Sequence, residues 1–357
     1  MVSSGAAGIP SIDISALFRG AGVERDRVDA RIAAAAAEEG FMSVGGLLAD
    51  VPLADVPLGP QSRSALLRIF SLPEQEIRKL WRWNFEPHNP NVYRGWFPAQ
   101  TDGPTYKEGI DMGPDIVRGE EGVDPSDPLL EATPLPPEAL LPGWRDAAAG
   151  YHRAMERVAS ALMRALARGL GLRETAFDAA FEGGISTLRL IRYPARDAVG
   201  LSPQGAEALY VRHHGEEHLL IGRPHCDTGF LTLLAQDGVG GLQARHRDGT
   251  WMDVPPDDGC LAVNFGQVLE RWTGGRIRAT EHRVLSPGRV RYSIPFFYEP
   301  RVDAVIAPLP LDGVAPFEPF YFGDHLWETT TRFVEQRGIA HLRRPMGPPP
   351  RNGRPTP

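Results

Sequence analysis

Apolar and polar residues alternate over Ile9-Pro10-Ser11-Ile12-Asp13-Ile14, the two-residue period of a half-buried strand. From Arg25 to Glu39 the chain is Ala-rich and free of Gly and Pro, and it stops at Gly40 before the apolar Phe41-Met42-Ser43-Val44. This order predicts a helix, a glycine cap and a strand, because alanine loses no side-chain entropy in a helix and glycine readily adopts the backbone that ends one. Further helices are predicted from about Ser62, past Gly59-Pro60, and after Leu72-Pro73-Glu74-Gln75-Glu76, where proline and acids suit a first turn. The longest helical pattern runs from Trp144 to about Leu172. Residues 185–300 change character: short apolar or β-branched runs are separated by Pro-Gly, Asp-Gly and Gly-Gly, the pattern of a β sandwich or barrel. A helical pattern returns over residues 324–342, and the Pro-rich stretch 344–357 has too little apolar surface to repay ordering, which predicts a mobile tail.

Composition narrows the class. The 357 residues allow one large domain or two small ones, and a hydrophobic fraction of 42% is enough for a sizeable core. With 38 basic against 45 acidic residues, a net charge of −7 and no polybasic block, the chain lacks the footprint of a nucleic-acid binder. Its two cysteines, Cys226 and Cys260, cannot build a disulfide framework or a CxxC zinc site, and so few fit a reducing compartment. The start, MVSSGAAGIPSIDIS, has neither a charged leader nor an apolar run, and no segment has the 18 or so consecutive apolar residues of a membrane span. A soluble cytoplasmic protein that engages neither membrane nor nucleic acid is expected.

The candidate chemistry lies in the β-rich segment, where His225-Cys226-Asp227 is followed far downstream by Glu281-His282-Arg283-Val284. Alternate residues of an extended segment share a face, so His225 and Asp227 can turn toward one point. Two imidazoles and one carboxylate on one face of an octahedron leave adjacent positions open, the arrangement of non-haem Fe(II) oxygenases. After the distal histidine, Ser286-Pro287-Gly288 signals a turn before Val290-Arg291-Tyr292-Ser293-Ile294, and the two runs are expected to form a hairpin. In an even-length hairpin His282 opposes Ser293 and Val284 opposes Arg291, so that His282, Arg291 and Ser293 share a face. A guanidinium beside a hydroxyl there would hold a carboxylate some distance from the metal.

These motifs, in this order, resemble the isopenicillin N synthase-like family of Fe(II)/2-oxoglutarate-dependent oxygenases. The likeness covers about residues 9 to 300 and is carried by Ile9-Pro10-Ser11-Ile12-Asp13-Ile14-Ser15, Glu39-Gly40-Phe41, Leu72-Pro73, Tyr93-Arg94-Gly95-Trp96, Lys107-Glu108, Arg192-Tyr193-Pro194, His225-x-Asp227, Gln236-Asp237-x-Val239-Gly240-Gly241-Leu242-Gln243, Asn264-Phe265-Gly266, His282-Arg283-Val284 and Arg291-x-Ser293-x-Pro295-Phe296-Phe297. The resemblance implies an α+β fold: a double-stranded β-helix, or jelly roll, flanked by helices. In that arrangement residues 1–120 form an N-terminal helix and strand region packed on the core, 121–343 form the catalytic core with its preceding long helix and a C-terminal helix, and 344–357 form the tail.

The resemblance also implies an iron held by His225, Asp227 and His282. Its co-substrate 2-oxoglutarate would chelate that iron and place its far carboxylate on Arg291, Ser293 and the Tyr193 hydroxyl. Reaction with O2 would then release succinate and CO2 while a C–H bond of a small organic substrate is hydroxylated, desaturated or cyclised. Two positions depart from the pattern: Cys226 stands where Thr or Ser is usual, its side chain expected to point away from iron, and Gln267 replaces an acid after Asn264-x-Gly266.

Other readings stay open beside this one. His214-Gly215-Glu216-Glu217-His218 matches the H-x-x-E-H zinc-peptidase pattern, but that motif needs a helix, Gly215 disfavours one, and a solvated loop is expected from His213 to His218. The cysteines read as buried small hydrophobes. Arg94 either reaches a substrate carboxylate or ties the N-terminal segment to the barrel, and Phe297, at the strand parity of Ser293, either touches substrate or fills the core. Alternatives for the whole chain are an isopenicillin N synthase-type oxidase that uses Fe(II) and O2 without 2-oxoglutarate, an ethylene-forming fragmentation of 2-oxoglutarate, and a non-catalytic jelly roll that binds a ligand.

Overall fold

The Ala-rich segment folds as the helix Val23–Glu38, ended by Gly40 at φ +63°, and leads directly into the strand Phe41–Gly45. A computed structural model of the chain describes residues 8–47, 57–100, 105–195 and 209–349. The long apolar stripe becomes the helix Trp144–Gly169, and the short helices Pro60–Leu67 and Glu74–Arg78 begin at the proline signals that predicted them.

The β-rich part forms two layers that are antiparallel except where the first two strands of the larger one pair in parallel. Strands β1 (Ser11–Asp13), β2 (Phe41–Gly45), β3 (Gly95–Phe97), β4 (Glu108–Met112), β5 (Thr187–Tyr193), β8 (Leu231–Gln236), β11 (Leu261–Phe265) and β13 (Arg291–Tyr298) make an eight-stranded sheet in the order β1-β2-β11-β8-β13-β5-β4-β3. Strands β6 (Tyr210–His213), β7 (Glu216–His225), β9 (Leu242–Arg245), β10 (Trp251–Asp253) and β12 (His282–Leu285) make a second sheet, β10-β9-β12-β7-β6. This is the jelly roll with flanking helices. The N-terminal strands β1 to β4 are members of the large sheet, with β2 hydrogen-bonded to β11.

Side-chain alternation separates two apolar layers. On β13, Ile294, Phe296 and Tyr298 join the long helix in the larger core, while Arg291, Ser293, Pro295 and Phe297 line a cavity between the sheets. On β5, Leu188 and Leu190 face the helix, whereas Thr187, Arg189, Ile191 and Tyr193 face the cavity. A smaller cluster, including Ile191 and Ala262 of the large sheet with Ile221, Leu242 and Val284 of the second, closes the space between them.

Three expectations change. The two strands joined by Ser286-Pro287-Gly288 are not a hairpin: β12 pairs with β7 and β9, whereas β13 pairs with β5 and β8. The turn crosses from one sheet to the other, so His282 does not oppose Ser293, and Arg291 and Ser293 reach the side of His282 because both sheets turn an inner face to one cavity. From His213 to His218 the chain is not a loop but the β6–β7 hairpin, turned at His214 (φ +49°) and Gly215 (φ +85°), two left-handed residues whose twist suits paired strands. The C-terminal helix is only Phe322–Thr330, followed by single turns at Val334–Gln336 and Ala340–Leu342. Its end is a β-branched run whose hydroxyls bond back to the helix, Thr330 to Leu326 O and Thr331 to Trp327 O, both at 2.8 Å. Of the expected tail, Met346 and Gly347 donate their N–H groups to Asp324, and residues 350–357 lie outside the described residues.

His152 marks where the long helix meets β13: it is fully buried, edge-on to Phe296 at 4.9 Å, and burial holds its pKa down to about 3. An unfolded histidine has a pKa of about 6.5, so below that pH the unfolded chain binds a proton that the native imidazole does not. Stability supplied by the neutral ring is therefore lost as pH falls from about 6.5 toward 3. Urea denaturation should show the stability difference between wild type and His152→Leu shrinking by about 2 kcal/mol between pH 7 and pH 5; an unchanged difference would contradict a buried neutral imidazole.

Candidate metal centre and its cavity

His225 is the last residue of β7 and His282 the first of β12, and the register of these neighbours sets the two directly opposite each other. Asp227 follows two residues after the strand end. The three side chains converge, with ligand atoms within 4.8 Å of one another and the imidazole centroids 4.3 Å apart. His225 Nε2 and His282 Nε2 each lie 3.8 Å from Asp227 Oδ1.

The outer atoms of all three groups are already committed. His225 Nδ1 lies 2.8 Å from the Arg223 carbonyl and His282 Nδ1 lies 3.2 Å from the Thr280 carbonyl. A carbonyl only accepts, so each Nδ1 carries the proton and each Nε2 turns a lone pair inward. Asp227 Oδ2 accepts from Thr232 Oγ1 at 2.5 Å and from Asn264 Nδ2 at 2.7 Å, leaving Oδ1 to face the two imidazoles. Burial, helped by the neighbouring His282, holds the His225 pKa down to about 4, so its ring is neutral at physiological pH. Burial alone would raise the Asp227 pKa, but His282, His225 and the two hydrogen bonds bring it below the ordinary carboxylate value. The result is two imidazole Nε2 atoms and a carboxylate oxygen turned to one point, a donor set suited to a divalent transition ion.

The cavity beside this point has a volume of about 560 Å³ and runs between the sheets. At one end stand Arg291, Ser293 and Tyr193, all buried, with the guanidinium 5.0 Å from the Tyr193 ring centre. Arg291 Nε donates to Gly240 O at 2.7 Å, while Nη1 is buried with no partner. Gly241, at φ +90°, packs its Cα against the Leu285 carbonyl where a Cβ would not fit, and so lets the Gly240-Gly241 turn approach the guanidinium. A buried donor without an acceptor is costly, so this end is suited to an anionic acceptor such as a carboxylate.

Phe297 faces the same cavity, with the Arg189 guanidinium 5.3 Å from its ring centre. Arg94 does not. It is buried, with Nη1 donating to Thr187 Oγ1 at 2.5 Å and Nη2 to Ile185 O at 2.9 Å, which ties the N-terminal segment to β5 and leaves no guanidinium face for substrate. Cys226 points to the Ala279 carbonyl at 3.8 Å, away from the point where His225, Asp227 and His282 converge, and burial with nearby acids pushes its thiol up to about 11. Both cysteines are half-buried and free, where full burial was expected. The exposed Gln267 side chain takes no part, but its backbone N–H donates to Asp227 O at 2.9 Å.

Several cavity residues have no counterpart among the sequence candidates. Arg189 reaches the cavity by the same alternation that places Tyr193, and Glu299 by that of Arg291 and Ser293, so strand parity carried a signal for both. Lys107 stands in the Lys107-Glu108 motif without an assigned role, and Glu335 carries no signal: they stand far apart in the sequence, yet Lys107 Nζ and Glu335 Oε1 meet at 2.8 Å and draw the segment 333–337 across the cavity. Burial opposes the Glu335 charge, but Lys107 and Arg189 outweigh it and bring the carboxyl down to about 2. Behind Arg189, fully buried Asp111 accepts from both Arg189 and Arg82, which outweigh its burial and hold its pKa at about 2.

Comparison with known proteins agrees with the geometry. Residues 202–300 match the family model described as the 2OG-Fe(II) oxygenase superfamily. The chain is 32% identical over 275 residues to validamycin A dioxygenase of Streptomyces hygroscopicus subsp. limoneus, covering 72% of this chain and 69% of that protein. It is 28% identical over 337 residues to isopenicillin N synthase of Streptomyces clavuligerus, covering 92% and 97%. The fold is shared with a full-length Neurospora crassa protein crystallised in complex with alpha-KG and thymine, at a TM-score of 0.73 and 22% identity over 91% of this chain and 97% of that one.

Asp111→Asn leaves Arg82 and Arg189 buried against a neutral partner, and is expected to cost about 3–5 kcal/mol in urea unfolding; a loss below about 1 kcal/mol would show that this carboxylate is not the counter-charge of the two guanidinium groups.

Proposed function

The chain belongs to the 2OG-Fe(II) oxygenase superfamily, and from that premise we propose that His225, Asp227 and His282 hold its iron while Arg291, Ser293 and Tyr193 hold 2-oxoglutarate. It is an Fe(II)- and 2-oxoglutarate-dependent oxygenase that acts with O2 on a small-molecule substrate. The observation that carries the residue assignment is the convergence of three metal-capable atoms, each side chain locked from behind by a carbonyl, a hydroxyl or an amide.

When bound, the iron with 2-oxoglutarate and O2 supplies a hydrogen-abstracting oxidant, with succinate and CO2 released. The remaining work belongs to this chain. The Arg223 and Thr280 carbonyls hold the Nδ1 side of both imidazoles, which orients Nε2 of each ring toward the metal position. Thr232 and Asn264 hold Asp227 Oδ2, which keeps Oδ1 as the single metal-facing carboxylate oxygen. Arg291, anchored through Nε to Gly240, offers Nη1 to the far carboxylate of the co-substrate, with Ser293 and Tyr193 lining the same cavity to add their hydroxyls. Phe297 and Arg189 form a substrate-facing wall, an aromatic surface and a cation held rigid by Asp111. The segment 333–337, latched by Lys107 and Glu335, screens that wall from water.

No helix among the described residues is long and apolar enough to cross a membrane. The two free cysteines support placing the enzyme in a reducing, cytoplasmic compartment.

Anaerobic addition of Fe(II) and then 2-oxoglutarate to the metal-free protein should produce a visible metal-to-ligand charge-transfer band. Arg291→Leu is expected to need at least about tenfold more 2-oxoglutarate for half of that band, since it removes a charge-assisted hydrogen bond worth about 1.5–3 kcal/mol, while iron affinity is unchanged. Equal co-substrate affinity in the variant would remove Arg291 from its role. His282→Ala should abolish iron-dependent succinate formation, and retained turnover would exclude it as an essential ligand.

A further inference from the structure

Away from the cavity, a second group of metal-capable side chains meets at the tip of the β6–β7 hairpin, where the ligand atoms of His213, His214 and Asp253 lie within 4.8 Å of one another. We propose that these three residues form a second metal site, for a divalent transition ion of zinc-like preference, that ties the hairpin to β10. His213 Nε2 lies 3.2 Å from Asp253 Oδ1, and His214 Nε2 lies 3.7 Å from Asp253 Oδ2. Tetrahedral zinc with bonds of about 2.0–2.2 Å sets its ligand atoms on the order of 3.4 Å apart, so small rotations of the exposed His214 and Asp253 side chains bring them to that spacing around the more buried His213.

Two further observations favour an ion over a simple pair of histidine–aspartate contacts. First, His214 is the only non-glycine residue with positive φ among the described residues. Asn, Asp or Gly is the usual choice at such a turn, and this chain instead places there an imidazole directed at a carboxylate. Second, the hydrogen-bonding account is incomplete: one His213 N–H serves both carboxylate oxygens, at 3.2 and 3.3 Å, and His214 is left beyond hydrogen-bond reach at 3.7 Å, with the two rings 3.9 Å apart. A cation between them satisfies all three groups at once. Gln243 Nε2 donates to Asp253 Oδ1 at 2.7 Å and fixes the carboxylate from its own strand's neighbour β9. Imidazole with a single carboxylate suits zinc, cobalt, nickel or copper better than magnesium or calcium.

The placement gives the ion a structural consequence. Strands β6 and β10 are the two edges of the five-stranded sheet, and β7 runs from this hairpin to His225. A bound ion would cross-link the sheet edges at the end of β7 opposite the proposed iron site.

The test is equilibrium dialysis of the full chain against micromolar Zn(II) alone. It is run in the wild type and in a His282→Ala background, so that zinc in the proposed iron site is counted separately. In both backgrounds His214→Ala and Asp253→Asn are expected to bind one zinc fewer per chain than their parent, with thermal melting confirming that the surface variants are folded. Zinc stoichiometry unchanged by either substitution would overturn the site, whatever is found for His225, Asp227 and His282.

Discussion

Three acceptor atoms aimed at one point with no donor among them is an unfavourable arrangement for a protein on its own, and the rest of this structure serves to hold it. Each of the three side chains is fixed from the side opposite the metal point: His225 and His282 by backbone carbonyls two residues upstream, Asp227 by Thr232 and Asn264. The fold supplies these partners from separate places. β7 and β12 bring the imidazoles into opposing register, and β8 and β11 carry Thr232 and Asn264 in from the other sheet. The proposed iron site thus bridges both layers of the jelly roll, which makes its geometry depend on how the sheets pack rather than on any one hairpin.

The same two-layer construction explains the cavity. Strand β13 sits in the middle of the large sheet between β8 and β5, buried on both faces, with one face in the helix-packed core and the other lining the space beside the metal point. Arg291 is fully buried because it comes from that central strand, and the guanidinium is tolerated because Gly240 O takes one edge and the cavity takes another. On the far side, Asp111 collects Arg82 and Arg189, so that cationic groups can line an enclosed space without being left unpaired. Lys107 and Glu335 extend this to the C-terminal segment, which crosses the cavity through an ion pair and not through apolar packing alone.

Much of this was legible in the chain. The long helix, the Ala-rich helix with its Gly40 stop, and the β-rich block follow from periodicity and turn residues, and they recur in the structure because those signals are local. The spacing His225-x-Asp227 with a distal His282, followed by Arg291-x-Ser293, pointed to residues that the fold does bring to one cavity. The parity of Arg291, Ser293 and Phe297 also survives, since alternation is a property of a strand whatever it pairs with. The hairpin drawn through Pro287-Gly288 fails for the complementary reason: a turn signal says that the chain reverses, not which strand it then pairs with. Arg94 fails as a substrate group because Thr187 and Ile185, distant in sequence, take its guanidinium.

The order of residues alone therefore determined the helices of the N-terminal half, the strand parities and the identity of the metal-capable and carboxylate-capable side chains, all of which depend on interactions within a few residues. Only the tertiary structure decided that β12 and β13 part into different sheets, that Lys107 meets Glu335, and that Asp111 anchors Arg189. Those outcomes come from burying two sheet faces against each other and neutralising the charges caught between them. Such constraints act between residues tens to hundreds of positions apart, and they leave no periodic mark on the chain.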